Sequence, residues 1–193
     1  MKTPLLIGLT AMALFAPWLS GGEDVVYKDK MGKVIHLRVP VQRAVIFQLY
    51  ELFPALNCWD RIVGVGRYTY DNDLILAARP EIQKLPSAGS GTDIDIEALL
   101  KMKPDVVVTW TYKPENVKFM QDKGLTVIAI YPDSFAEIYG LIELYGKMFQ
   151  REKEAGLTVQ QMDGLFNLVK ARSLRIPAGQ KRRVLWIGSR QNT

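Results

Sequence analysis

Apolar and polar positions alternate through VVYKDKMGKVIHLRV, residues 25–39, on both sides of a Lys-Asp-Lys-Met-Gly turn. The pattern predicts a β-hairpin with Gly32 as its permissive residue, ended by Pro40. The largely apolar run AVIFQL, Ala44 to Leu49, has the length of a buried strand. From there the period switches repeatedly between helix and strand. YELFPALNCW reads as helix, RIVGVG as strand, DIEALLKM as helix and DVVVTW as strand. NVKFMQDKG reads as a helix stopped by glycine and LTVIAI as strand. SFAEIYGLIELYGKMF reads as a longer helix, with Phe135, Ile138, Leu141, Ile142 and Tyr145 on one face. Alternation of this kind predicts an α/β fold, a parallel-sheet lobe covered by helices.

Residues 151–175 are charged and helix-prone, with Leu157, Met162, Leu165, Phe166 and Val169 spaced as one apolar stripe. Gly156 and Gly164 weaken that helix. After Pro177 a fresh strand signal appears at Val184 to Ile187. A lone strand forms no domain, so the expectation is the first strand of a second lobe that is otherwise missing. The resulting division is a leader over 1–22, an α/β lobe over 23–150, an inter-lobe helix over 151–176 and the start of a second lobe over 177–193.

The leader is inferred from Lys2 followed by LLIGLTAMALFAPWL and then the small residues of SGGED, the layout of a cleavable export signal. The apolar run is too short for a membrane span and is broken by Pro17. No cysteine follows it, which argues against a lipid-anchored product. The expected location is the periplasm.

With 48% hydrophobic and 23% charged residues, the chain is globular. The net charge of +5 is spread along it. Its densest basic group, Lys170 to Arg183, lacks the interleaved aromatics of a nucleic-acid surface, so no nucleic-acid partner is expected. Cys58 is the one cysteine and His36 the one histidine. These numbers exclude an intrachain disulfide, a thiolate metal site and a histidine-rich site for free zinc or manganese. There is no GxSxG, Cys-His pair or P-loop, and GVGRY lacks the third glycine of a dinucleotide site. No catalytic residue, resident metal or cofactor is expected.

The stretch TDIDIEALLKMKPDVVVTW, residues 92–110, carries the most information. Asp95 is placed as an N-cap, and Ile96, Leu99 and Leu100 form the inner face of a short helix. Glu97 points outward from its first turn, within reach of Lys101, and Pro104 forces the end. Asp105 then opens a buried strand that delivers Trp110 to its carboxyl end, where ligands of open α/β sheets bind.

This block, with DKMGKVIHLRVPVQRAVIF, RIVGVGRY, LPSAGSGTD and KGLTVIAI in that order, resembles the amino-terminal lobe of the bacterial periplasmic solute-binding proteins that deliver ferric siderophores, haem, cobalamin and related metal chelates to ABC importers. The resemblance runs from about Tyr27 to Ile130, with the later helices consistent to about Arg175. It implies a monomer that captures a metal-chelate ligand between two lobes and docks on an ABC permease in the inner membrane.

By motif position Glu97 resembles the glutamate with which the first lobe docks on the permease. The ligand candidates implied are Tyr50, Arg67, Tyr68, Trp110, Tyr112 and Tyr131, with Gln48 and Ser90 to Thr92 also facing the cleft. Tyr68 and Trp110 stand at positions resembling a tyrosine and a tryptophan of cobalamin-binding members. Aromatic faces with polar edges suit a planar chelate, and an arginine suits an anionic one. The alternative is a chelatase-like or metallocluster-related α/β enzyme acting on a tetrapyrrole, because such enzymes share similar lobes.

Overall fold

The computed structural model describes residues 23–185. The leader expected over residues 1–22 therefore lies outside the described residues, as do Trp186 and Ile187 of the last strand signal.

The hairpin is formed by β1 (Glu23–Lys28) and β2 (Val34–Val39), antiparallel, with Tyr27 opposite Ile35. Ile35, Leu37 and Val39 turn inward, while His36 and Arg38 face solvent. Gly32 at the tip has φ +81°, as the turn requires.

Four strands make the central sheet: β3 (Ala44–Ile46), β4 (Ile62–Val65), β7 (Val106–Trp110) and β8 (Val127–Ile130). All neighbours are parallel, in the order β4-β3-β7-β8. Between them lie α1 (Leu52–Leu56), α2 (Asp73–Ala78), α3 (Ile96–Lys101) and α4 (Pro114–Asp122). The short pair β5 (Gly89–Ser90) and β6 (Asp93–Ile94) precedes α3. The helices α5 (Phe135–Phe149) and α6 (Glu152–Leu174) follow the sheet. The parallel α/β lobe covered by helices is thus as the periodicity predicts.

The strands read as unbroken apolar runs because both faces of the sheet are covered. Ala44, Ile46, Val106, Val108, Ile128 and Ile130 face the core shared with α1, α5 and β2. Val45, Phe47, Val107, Val127 and Ala129 face Leu99 and Met102 of the α3 segment and Val117 and Met120 of α4. Full burial of each large side chain contributes about 1.5–3 kcal/mol, and the alternation divides the apolar strand residues between the two layers.

Three local features depart from the sequence expectations. Residues 72–84 form α2 and a 3₁₀ turn over Pro80–Lys84 that the periodicity did not announce. Asn72 caps α2 by accepting the Ile75 N–H at 3.0 Å. The helix α6 runs unbroken through Gly156 and Gly164, but its apolar stripe is largely uncovered among the described residues. Ala155 is buried and Met162 partly so, whereas Leu165, Val169 and Leu174 are 60–72% exposed. Val184 and Leu185 lie in irregular chain, exposed, and not in a strand.

Candidate functional site

Because the four central strands are parallel, their carboxyl ends meet at one edge of the lobe. Gln48 follows β3, Arg67 and Tyr68 follow β4, Trp110 ends β7 with Tyr112 beyond it, and Tyr131 follows β8. Gly66, at the turn after β4, lets the chain pass close to the adjoining strand. A Cβ there would stand 3.1 Å from the Phe47 backbone of the adjoining strand. Gly89 sits at φ +87° with the Asp93 carbonyl where a Cβ would stand, so the β5–β6 turn folds tightly and brings Gly91 and Thr92 to the same edge. The Asn116 amide of α4 donates to the Thr92 carbonyl at 3.3 Å.

These elements enclose a half-open concavity of about 390 Å³, lined by Gln48, Tyr68, Gly91, Thr92, Trp110, Tyr112 and Lys113. Its wall is aromatic. Trp110, Tyr112 and Tyr131 form a closed triangle with ring centroids 5.4–5.6 Å apart, in the tilted and edge-on geometries that the ring quadrupoles favour. Burial, and then the neighbouring Tyr131, push the Tyr112 hydroxyl above its ordinary value of 10.0. Tyr112 therefore presents a neutral phenol at physiological pH, a donor and acceptor rather than an anion.

Of the lining residues the charged one is Lys113, which is exposed at the N-cap of α4. The Arg67 guanidinium lies over the Tyr68 ring, 5.3 Å from its centroid, and adds a second positive group beside the concavity. No carboxylate lines it. The sequence reading missed Lys113. The signal for it was available, since KP directly after the aromatic TWTY places a lysine at the start of the next helix.

The structure gathers Gln48, Tyr68, Gly91, Thr92, Trp110 and Tyr112 around one hollow and sets Tyr131 against its aromatic side. Tyr50 is not among the lining residues. It packs half-buried against the main core, where burial and Glu51 raise its pKa. Gln48 is held from behind, its carbonyl accepting the hydroxyl of the fully buried Tyr145 at 3.0 Å.

Glu97 lies in the first turn of α3, exposed, behind an N-cap in which Asp95 accepts the Ala98 N–H at 2.9 Å. The expected pair with Lys101 does not form. The ion pairs among the described residues are those of Lys30, Arg61 and Arg151, because the side chains at 97 and 101 gain too little from pairing in water to hold one geometry.

Among the described residues no group of three or more His, Cys, Asp or Glu side chains is gathered. Cys58 is buried with its thiol pushed up to about 12 by desolvation, so it stays a thiol packed in the core.

The model of the periplasmic binding protein family matches residues 48–192. An uncharacterised ABC-transporter substrate-binding lipoprotein of Bacillus subtilis, YvrC, is 26% identical over 149 residues, covering 74% of this chain and 42% of its own. The molybdate-binding protein MolA of Haemophilus influenzae is 31% identical over 129 residues, 63% of this chain and 36% of its own. MolA bound to molybdate superposes with a TM-score of 0.72 at 22% identity, over 81% of this chain and 56% of that one. CeuE of Helicobacter pylori in a nickel–histidine complex gives 0.70 at 22% identity, over 80% and 51%. The chain thus spans about half or less of the length of these relatives.

Proposed function

This chain belongs to the periplasmic binding protein family, and from that premise we propose that it is the ligand-capturing amino-terminal lobe of an ABC importer's extracytoplasmic substrate-binding subunit, its cargo an anionic metal complex. The observation that carries the reading is the concavity at the carboxyl ends of β3, β4 and β7, with aromatic walls and Lys113 as its charged lining group. Rings and a neutral phenol contact the flat or apolar surface of a chelate, while Lys113 and Arg67 attract its net negative charge. The metal reaches such a site already wrapped by its own ligands, since the lining side chains are phenols, an amide, hydroxyl and indole groups and one ammonium. Ferric catecholate siderophores and haem, with their negative catecholates and propionates, belong to this class, as does an oxyanion such as molybdate, whereas an uncharged cobalamin falls outside it. No step of chemistry on the cargo is needed.

Half-openness supports a second wall. Ligand sites of high affinity enclose roughly 70–90% of the bound molecule, and the uncovered stripe of α6 offers apolar surface for another lobe. Capture then proceeds by closure of the two walls, followed by docking through the exposed Glu97 on a permease.

The test is quenching of Trp110 fluorescence in the full-length protein, titrated with molybdate, a ferric catecholate siderophore, haem and cyanocobalamin. Saturable quenching by an anionic complex, lost in Trp110→Phe, is expected. Equal or stronger binding of the uncharged cyanocobalamin overturns the reading. The isolated 193 residues should bind the same complex weakly, and a submicromolar Kd for them contradicts the two-walled site.

A further inference from the structure

Ala129, in the outer strand β8, has both backbone groups taken by the tip of the β1–β2 hairpin. Its carbonyl accepts the Lys30 N–H at 3.0 Å, and its own N–H donates to Asp29 Oδ2 at 3.4 Å. The tip is held internally as well. The buried Asp29 carboxylate accepts the N–H groups of Met31 and Lys33 at 3.0 and 2.8 Å, and the Asp29 carbonyl accepts that of Gly32 at 3.0 Å. A carboxylate satisfied by three backbone donors makes a stiff turn.

From this fixed base the Lys30 ammonium reaches Glu137 Oε1 at 2.6 Å and Asp133 Oδ2 at 3.3 Å. Glu137 Oε2 accepts the Asp133 N–H at 2.9 Å, and Ser134 Oγ accepts the Glu137 N–H at 3.3 Å. One residue therefore holds the β8–α5 connection at both ends, through its backbone at Ala129 and through its side chain at Asp133 and Glu137. Tyr131 lies midway, two residues from Ala129 and two from Asp133. The residue is 41% exposed, and its ring meets Trp110 and Tyr112. Packing on one side does not fix a tyrosine that open, so the path of its backbone decides where the ring stands.

We propose that Lys30 is a positioning residue for the ligand wall: its clamp on the β8–α5 connection sets Tyr131 in the aromatic triangle. The assignment rests on that triangle being the wall that faces the cargo. Lys30 does not line the concavity between Gln48 and Lys113. It acts through the loop, and together with Tyr131 it lines a second hollow of about 350 Å³ between the hairpin tip and α5.

The experiment needs no cargo. The 193-residue chain is prepared with 3-fluorotyrosine at its eight tyrosines, and Tyr131→Phe identifies the fluorine resonance of Tyr131. In Lys30→Ala, and again in Glu137→Gln, the Tyr131 resonance should shift or broaden toward the solvent-exposed position. The Tyr145 resonance, from the core, should stay in place, and Lys30→Arg should restore the original line. A Tyr131 resonance unmoved in both variants overturns the proposal, and so does a general change in all the tyrosines, which marks loosening of the lobe. If Tyr131 responds here and yet its replacement leaves binding of the fluorescence probes intact, the clamp stands and the ligand-wall assignment fails.

Discussion

Arg43 and Asp105 are bonded to each other in both directions: the Arg43 N–H donates to Asp105 Oδ2 at 2.9 Å, and the Asp105 N–H donates to the Arg43 carbonyl at 2.7 Å. Asp105 Oδ2 also accepts the Gln42 N–H at 2.9 Å, while the Arg43 guanidinium donates to the carbonyls of Met102 and Lys103 at the end of α3. The Lys103-Pro104-Asp105 corner, with Lys103 at φ +47°, is thereby tied to the start of β3. Asp105→Ala should lower the unfolding free energy by about 1–2 kcal/mol, read as a fall in the urea midpoint at constant slope. Asp105→Asn keeps an acceptor oxygen and should cost less; equal losses in the two variants would show that charge, not the two N–H bonds, matters.

Glu97 offers its carboxylate from the first turn of α3 without an ion-pair partner among the described residues. In cells that depend on the full-length protein, Glu97→Arg should cut cargo uptake about tenfold or more while the Kd for the same cargo stays within twofold, because a carboxylate that docks on a permease faces a complementary positive group, against which an arginine sets like charges. Unaltered uptake removes Glu97 from the docking surface.

Lys113 supplies the positive charge in the lining of the concavity. Lys113→Glu in the full-length protein should weaken an anionic probe such as molybdate by about tenfold, equivalent to about 1.4 kcal/mol. The loss should shrink as salt is raised, because the site is half open to solvent. A loss independent of ionic strength would point to contact geometry instead.

The Lys30 clamp has a defined pH range. The Glu137 carboxyl is held below its ordinary 4.5 by the Lys30 hydrogen bond first and the Asp133 N–H second, and the Lys30 ammonium is held above its ordinary 10.5 chiefly by Glu137. A lowered carboxyl contributes stability that is complete above 4.5 and is lost as pH falls through the lower folded value. A raised ammonium contributes stability that is complete below 10.5 and is lost as pH rises through the higher folded value. Asp29, Asp133, Lys28 and Tyr27 surround the pair and remain in both proteins when wild type is compared with Glu137→Gln. The difference in Tm between these two should be flat from about pH 5 to 10 and close in acid. A difference that persists unchanged to pH 2 contradicts the clamp.

The four central strands were legible because each is apolar on both faces, and their order along the chain alternates with helices. The gathering of residues at one hollow was legible where a residue simply follows a strand: Gln48, Tyr68, Trp110 and Tyr112 line it because parallel strands end together. Tyr50 was not, since its direction depends on Leu49 turning at φ +60°, which sends Tyr50 against the core. The helix over Asp73–Ala78 escaped notice because six residues give too little period to detect. The Lys30 contacts were hidden for a different reason. They join residues more than a hundred positions apart, and no local pattern encodes such a pairing. The helix α6 was legible as a helix, but most of its apolar residues are left uncovered among the described residues.

The bonds at Ala129 have a bearing on self-association. An outer strand with free N–H and C=O groups is a template on which another molecule can add a strand. Here the hairpin tip interrupts β8 at Ala129, and at the opposite margin the Val65 N–H of β4 donates to the Pro86 carbonyl at 3.2 Å, with Ser87 bridged alongside. Neither margin presents an unbroken row of backbone donors and acceptors, so each offers a second copy a shortened ladder to extend.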